Sequence, residues 1–356
     1  MVQQLTLTSQ QSKNINLLKG LSIIFVVFIH ADVRSMISKY MAVSPVVNLY
    51  METLTRILVD NAVPMFYFIS GFLFFLRKDS YCNKFKSRIR TLVIPYLIWC
   101  FIGFIIPFVI QRIIGLEHLY SGNQLKLLKD FTVIDYIRMF WNIRDGEPIL
   151  STLWFLRNLI VLIAMTPVIA WLAQKLRYVF PFILVLIYFF IPFGFSGFSS
   201  NGFCWFAMGI YFSQGGVNCW DSIDRAKLKI IALVWCIMTM LAIFLFYEGF
   251  HYKEYMLLYR IVHFIMIYKL IDHLSHKCDV RLLTKISTAS FFIYVFHEPW
   301  MGYIAKLTIS TFRPEGFGIY PLPIILGLVT VGFSYSAYII LKRIAPHFLN
   351  VATGSR

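Results

Sequence analysis

Residues 19–34 read KGLSIIFVVFIHADVR, an apolar run that opens at Lys19 and closes on His30, Asp32 and Arg34. The apolar residues are continuous rather than alternating, which favours a helix over a strand of a membrane barrel. A histidine at the end of such a run is costly in lipid, so it marks a bundle interior or a watery cavity.

The pattern recurs from end to end. Ten segments are long enough, or nearly so, to cross a hydrocarbon core of ~30 Å. They are approximately 17–35, 55–76, 91–111, 152–173, 178–195, 199–214, 229–248, 255–271, 286–307 and 321–341. Of the 356 residues, 59% are hydrophobic and 14% charged, with a mean hydropathy of +0.71. Soluble domains run near about 45–50% apolar and about 25% charged. The expectation is therefore an all-α, polytopic integral membrane bundle forming one domain over 1–356, with a long outer loop at 112–151.

Lysine and arginine set the orientation. With the N-terminus inside, about 20 of the 33 fall in inner segments and about 11 in outer loops, Arg157 and Arg260 lying within spans. That excess matches the positive-inside rule and makes both termini cytoplasmic. The net charge of +16 reads first as a solvated face attracted to anionic membrane lipid. A basic rim also suits a phosphate-bearing substrate, whereas no nucleic-acid-binding module is visible. The six cysteines are at least 15 residues apart and form no ligand spacing, so they read as packing residues and no metal is expected. The N-terminus lacks a cleavable signal pattern, and the first helix is expected to stay as an anchor. Within the long loop, FTVIDYIRMFW (131–141) has helical apolar spacing and suits an interfacial helix.

Five ionisable residues fall inside the predicted spans: His30, Arg157, Arg260, His263 and His297. At a rise of about 1.5 Å per residue, His30 lies ~16 Å beyond Lys19, His297 ~18 Å beyond Lys285, and Arg260 ~14 Å from Lys269. Three helices thus carry basic groups to a similar depth. Eleven residues at about 100° each leave Lys19 and His30 only ~20° apart around the helix. Ser290, Tyr294 and His297 share a face, while Glu298 is turned ~100° from His297. Pro299 removes the donor that the carbonyl of Val295 would normally meet.

Imidazole titrates near neutrality and is suited to take a proton from a hydroxyl that attacks an acyl donor. Arginines, a tyrosine and a serine nearby would support the oxyanion that develops. The competing reading is that each histidine only hydrogen-bonds between helices, and for His263 that is the favoured one.

These motifs resemble the membrane acyltransferase family known as acyltransferase 3, whose members O-acylate cell-surface glycans and related molecules. The markers are Lys19 with His30; PMFYFISGFLF (64–74); KSRIRTLVIPYLIW (86–99); STLWFLRNLI (151–160); and SFFIYVFHEPW (290–300). They occur in order over most of the chain. Two departures stand out. Lysine replaces the arginine often found at the first position, keeping charge but losing the bidentate fork. Arg157 and Asn158 stand where relatives sometimes carry a carboxylate.

The resemblance implies acyl-coenzyme A as co-substrate, acetyl-CoA first among the donors, reaching the site from the cytoplasm. Lys19, Arg88 and Arg90 would hold its phosphates. His30 would act as general base or as transient acyl carrier, with Tyr294 and His297 as further catalytic groups. Ser70, Trp154, Arg157, Arg260 and Ser290 would contact substrate. The Ser70–Gly71 pair is also open to a plain packing role. The acceptor would be a carbohydrate hydroxyl on a surface or lipid-linked glycan, at a bacterial-type inner membrane, with oligomerisation left open. The rival readings are a transporter of a glycan or lipid, which the lack of an internal repeat disfavours, and a receptor or assembly subunit.

Overall fold

The computed structural model describes residues 5–76, 79–109, 111, 127–142, 147–214, 218–250 and 253–354. Each of the ten apolar segments contains a helix. The first, α1 (Ser9–Ile29), starts at a capping box in which Thr8 Oγ1 accepts from the Gln11 backbone while Gln11 Oε1 accepts from that of Thr8. It stops at Ile29 rather than at the expected 35. The Asp32 side chain accepts from the Arg34 backbone N–H at 3.1 Å, an Asx-type bond that competes with helix continuation.

The chain returns through the short helix Pro45–Glu52 and a π-helical turn, Thr53–Ile57, into α2 (Ala62–Leu76). A second π-helical turn, Ile89–Val93, joins the short helix Tyr81–Arg88 to α3 (Ile94–Phe108). The expected span 152–173 is two helices, α4 (Trp154–Ala164) and α5 (Thr166–Leu176), bent by 60°. Pro167 lacks a backbone N–H and so favours a new helix start there. Then follow α6 (Val179–Phe190), a two-residue hairpin of β1 (Gly194–Phe195) and β2 (Phe198–Ser199), and α7 (Ser200–Gln214). The series ends with α8 (Leu228–Tyr247), α9 (Lys253–Lys277), α10 (Ser290–Phe312) and α11 (Leu322–Ile344).

Five helical stretches among the described residues are both long and apolar enough to cross a membrane, or six with the bent pair counted as one. The protein is thus a multi-pass membrane protein. Both α9, with 25 residues, and α10, with 23, are also long enough for a ~30 Å core. They interrupt their apolar runs with ionisable side chains such as Arg260, Lys269 and Glu298.

The helices close on one another through small residues. A Cβ on Gly71 would stand 2.1 Å from the Phe206 carbonyl oxygen, and one on Gly209 2.2 Å from that of Phe68. The backbones of α2 and α7 therefore touch at a reciprocal glycine crossing, the close approach that small residues permit in membranes. By contrast α8 lies at the edge, with 11% of its most apolar window buried.

Polar contacts gather at the two ends. At one, Gln11 Nε2 donates to Asp221 and Asp224, and Asn14 Nδ2 to Asp272. This ties the start of α1 to the short helix Cys219–Arg225 and to the end of α9. At the other, the hydroxyls of Tyr40 and Tyr50 donate to the carbonyls of Pro314 and Tyr320. In the long loop, Val133–Arg138 is helical, with Val133, Ile134 and Ile137 exposed and Met139 just beyond it buried. Residues 112–126 and 143–146 of that loop lie outside the described residues, as do Arg77 and Lys78.

Candidate active site

One face of α1 carries Asn16, Lys19, Val26 and Ile29, His30 continues that face just past the helix end, and all five line a cavity of about 610 Å³. Their spacing is that of a single helical stripe, as the sequence phase of Lys19 and His30 requires. From α2 come Val63, Phe66, Ile69, Ser70 and Leu73, again one face. The remaining walls are Trp154, Phe155, Leu156 and Leu159 of α4, Ser287 and Thr288, and Ser290, Phe291 and Tyr294 of α10.

Gly20 explains the hydroxyl-rich wall. A Cβ there would meet the Leu283 carbonyl oxygen at 2.8 Å, so α1 lies directly against the short helix Arg281–Thr288. Ser287 Oγ then donates to the carbonyl of Asn16.

The cavity has two ends. Arg56 precedes α2 and Arg88 follows it, and both line the cavity. The 15-residue helix between them spans ~22 Å. Arg56 lies close enough to His30 for its charge to act there, so Arg88 belongs to the far end, with Lys19. The Arg88 guanidinium also stacks 5.7 Å from the Phe74 ring centre.

His30 is the first residue beyond α1, its N–H donating to the carbonyl of Val27 at 3.1 Å. Its ring centre lies 5.2 Å from that of His297. His297 is fully buried, and its Nδ1 lies 3.0 Å from the Ile293 carbonyl and 2.8 Å from that of Tyr294. A carbonyl only accepts, so Nδ1 carries the proton and Nε2 keeps its lone pair. That Nε2 is buried with no hydrogen-bond partner among the described residues. Glu298, the next residue, also acts electrostatically on His30. Its carboxylate accepts from Ser151 Oγ at 2.7 Å, beside the start of the short helix Ser151–Leu153.

Seven of the eleven residues singled out in the sequence line this one cavity: Lys19, His30, Ser70, Arg88, Trp154, Ser290 and Tyr294. His297 stands behind His30 rather than in the wall. The helix carrying it breaks at Ala289, so a straight rise counted from Lys285 does not give its depth. Ser70 and Gly71 divide their duties, serine in the cavity wall and glycine at the α7 crossing. The Tyr294 hydroxyl is committed, donating to the Thr152 carbonyl and accepting from the Leu156 N–H at 3.3 Å.

Three arginines are not in the wall. Two residues round a helix is ~200°, so Arg90 faces away when Arg88 faces in. Arg157 donates from Nη1 to Ser196 Oγ at 2.9 Å and lies 5.6 Å over the Trp141 ring. Arg260 forms a two-pronged ion pair with Asp60, with Nη2 to Oδ1 at 2.9 Å, and bonds the Tyr188 hydroxyl. The shared depth of Arg260 with the histidines therefore does not place it in their chamber. His263 packs against Tyr259 and Trp235 with ring centres 5.3 and 5.8 Å away, but its Nδ1 is buried without a hydrogen-bond partner among the described residues, so the ring packs between helices instead of making the interhelical hydrogen bond expected of it.

Sequence reading missed Arg56, Asn16 and Glu298. Arg56 is carried by a π-helical turn, for which residue types give no signal. Glu298 is out of phase with His297, and its influence falls instead on His30.

A family model described as an acyltransferase domain matches residues 12–340. The succinoglycan biosynthesis protein ExoH of Rhizobium meliloti (strain 1021) is 27% identical over 354 residues, covering 97% of this chain and 92% of that protein. No solved structure matches. With the match running from the first turns of the Lys19–His30 helix to near the end of α11, the chain belongs to the acyltransferase family its motifs resemble, and it is an acyltransferase.

Proposed function

We propose that this protein transfers an acyl group from acyl-coenzyme A to a hydroxyl of a surface or lipid-linked polysaccharide, with His30 as the group that handles the proton. The observation carrying this reading is the single cavity that holds Lys19 and Arg88 at one end and His30, backed by His297, at the other. The cationic end suits the nucleotide phosphates of coenzyme A. The ~16 Å from Lys19 to His30 is then lined by α2 and α4 for the pantetheine arm.

His30 takes the proton of the acceptor hydroxyl as its oxygen attacks the thioester carbonyl. The C–O bond forms, the C–S bond breaks, and the proton passes to the departing sulfur. Transfer by way of an acyl group held on His30 uses the same residues in two steps. Acetyl is the first donor to test. The polysaccharide acceptor draws support from the relative ExoH, named for succinoglycan biosynthesis.

For the topology we infer ten spans, both termini cytoplasmic, in a bacterial-type inner membrane. The contacts of Gln11 and Asn14 with 221–224 and 272 gather segments that this arrangement puts on the inner side. Those of Tyr40 and Tyr50 gather outer segments.

The test is purified protein with acyl-CoA and a glycan acceptor, comparing wild type with His30→Ala. The expected result is free coenzyme A and a glycan heavier by one acyl unit for wild type only. Normal transfer by the variant, or glycan movement without covalent change, would overturn the reading.

A further inference from the structure

The reaction above develops a negative charge on the thioester carbonyl oxygen; of the groups first expected to meet it, Ser290 stays in the cavity wall as a neutral donor, while the tyrosine and two arginines are engaged elsewhere. The Tyr294 hydroxyl donates to Thr152, Arg157 to Ser196, and Arg260 to Asp60 and Tyr188. Arg56 differs. It lines the cavity, remains accessible, and makes no hydrogen bond or ion pair among the described residues. Its charge nevertheless reaches both His30 and Asp32.

Its placement is built rather than incidental. Arg56 belongs to the π-helical turn Thr53–Ile57, closed by the Leu58 N–H on the Thr53 carbonyl at 3.0 Å. Such insertions recur at functional sites because they re-aim side chains. From behind, α9 grips the turn and the residues after it. Tyr259 donates to the Ile57 carbonyl at 3.2 Å, Asn61 donates to the Arg260 carbonyl at 2.7 Å, and Arg260 pairs with Asp60. Residues 57, 60 and 61 are thus fastened to α9, while Arg56 itself lines the cavity that His30 also lines.

We propose that Arg56 is a catalytic residue: its guanidinium stabilises the oxyanion formed at the thioester carbonyl as the acceptor hydroxyl attacks beside His30. The charge appears when the carbonyl π electrons move onto oxygen. It is lost when they return and expel the sulfur, so Arg56 neither gains nor loses a proton. The proposal rests on the acyl-transfer reading of the same cavity.

Arg56→Gln and Arg56→Lys, with His30→Ala alongside, are assayed with acetyl-CoA and glycan. Removing a preorganised oxyanion donor costs about 10²–10³-fold in kcat. Arg56→Gln should show a loss of that size with the KM for acetyl-CoA changed less than about threefold, and Arg56→Lys should restore part of it. Both variants should match wild type in thermal unfolding, since Arg56 has no hydrogen-bond or ion-pair partner to lose among the described residues. If Arg56→Gln keeps wild-type kcat while His30→Ala is inactive, the oxyanion role is wrong and the acyl-transfer reading stands. A rise in KM alone, or a loss seen only with acyl groups or glycans that carry a carboxylate, would assign Arg56 to substrate recognition and overturn the proposal.

Discussion

The rings of His30 and His297 lie 5.2 Å apart at an interplanar angle of 56°, although they come from opposite ends of the sequence. His297 is fixed by two carbonyls of its own helix and turns an unpartnered Nε2 into the protein interior. Only His30 of the two lines the cavity. This difference in setting separates the roles expected of them.

His30→Ala should lower kcat by about 10²–10⁴-fold, the range for a lost general base. His297→Gln, which removes the ring behind His30 without opening the cavity wall, should cost less. Steady-state rates on purified variants of equal thermal stability check the order. Equal losses at both positions would mean that the two rings work as one unit.

Lys19→Gln and Arg88→Gln should raise the KM for acyl-coenzyme A far more than they lower kcat. A charge-assisted hydrogen bond contributes about 1.5–3 kcal/mol, or roughly 10–100-fold in binding. Arg90→Gln, on the opposite face of its helix, should change the same KM by less than about threefold. Donor titrations at fixed acceptor measure all three.

Gly71→Ala should destabilise the protein, because the new methyl would overlap the Phe206 carbonyl at 2.1 Å. Overpacking of this kind costs about 1–3 kcal/mol, and backbone obstructs more firmly than a movable side chain. The same change at Gly302, where nothing lies within 4 Å, should leave stability unaltered. Unfolding in detergent, followed by tryptophan fluorescence, compares the two.

Arg260→Met should act on stability before it acts on substrate. Removing one member of a fully buried pair strands the other charge at a cost of about 3–5 kcal/mol; here the stranded charge, Asp60, is only half-buried, so the cost should fall below that range. Thermal unfolding should fall sharply, with the acceptor KM of the surviving protein near wild type. A selective acceptor KM effect at normal stability would return Arg260 to the binding site.

Much of this site was legible because helix periodicity is regular. The Lys19–His30 stripe and the Ser290–Tyr294 face follow from counting alone, and both reach the cavity. Counting fails where the helix itself departs from its period. The π-helical turn under Arg56, the break at Ala289 and the bend at Met165 each shift phase or direction. Depth is also not neighbourhood, as Arg260 illustrates: its partners Asp60 and Tyr188 are remote in sequence, and no spacing rule announces them.

Because α1 finishes at Ile29, the imidazole sits on the residue that caps the helix, held through its own N–H but not by a continuing helical turn beyond it. Rotation about one pair of backbone dihedrals can swing the ring through a small arc while the helix behind it stays whole. A base that must meet a sugar oxygen and then a sulfur gains that reach from an unwound terminus, where a histidine in mid-helix would be held to one bearing.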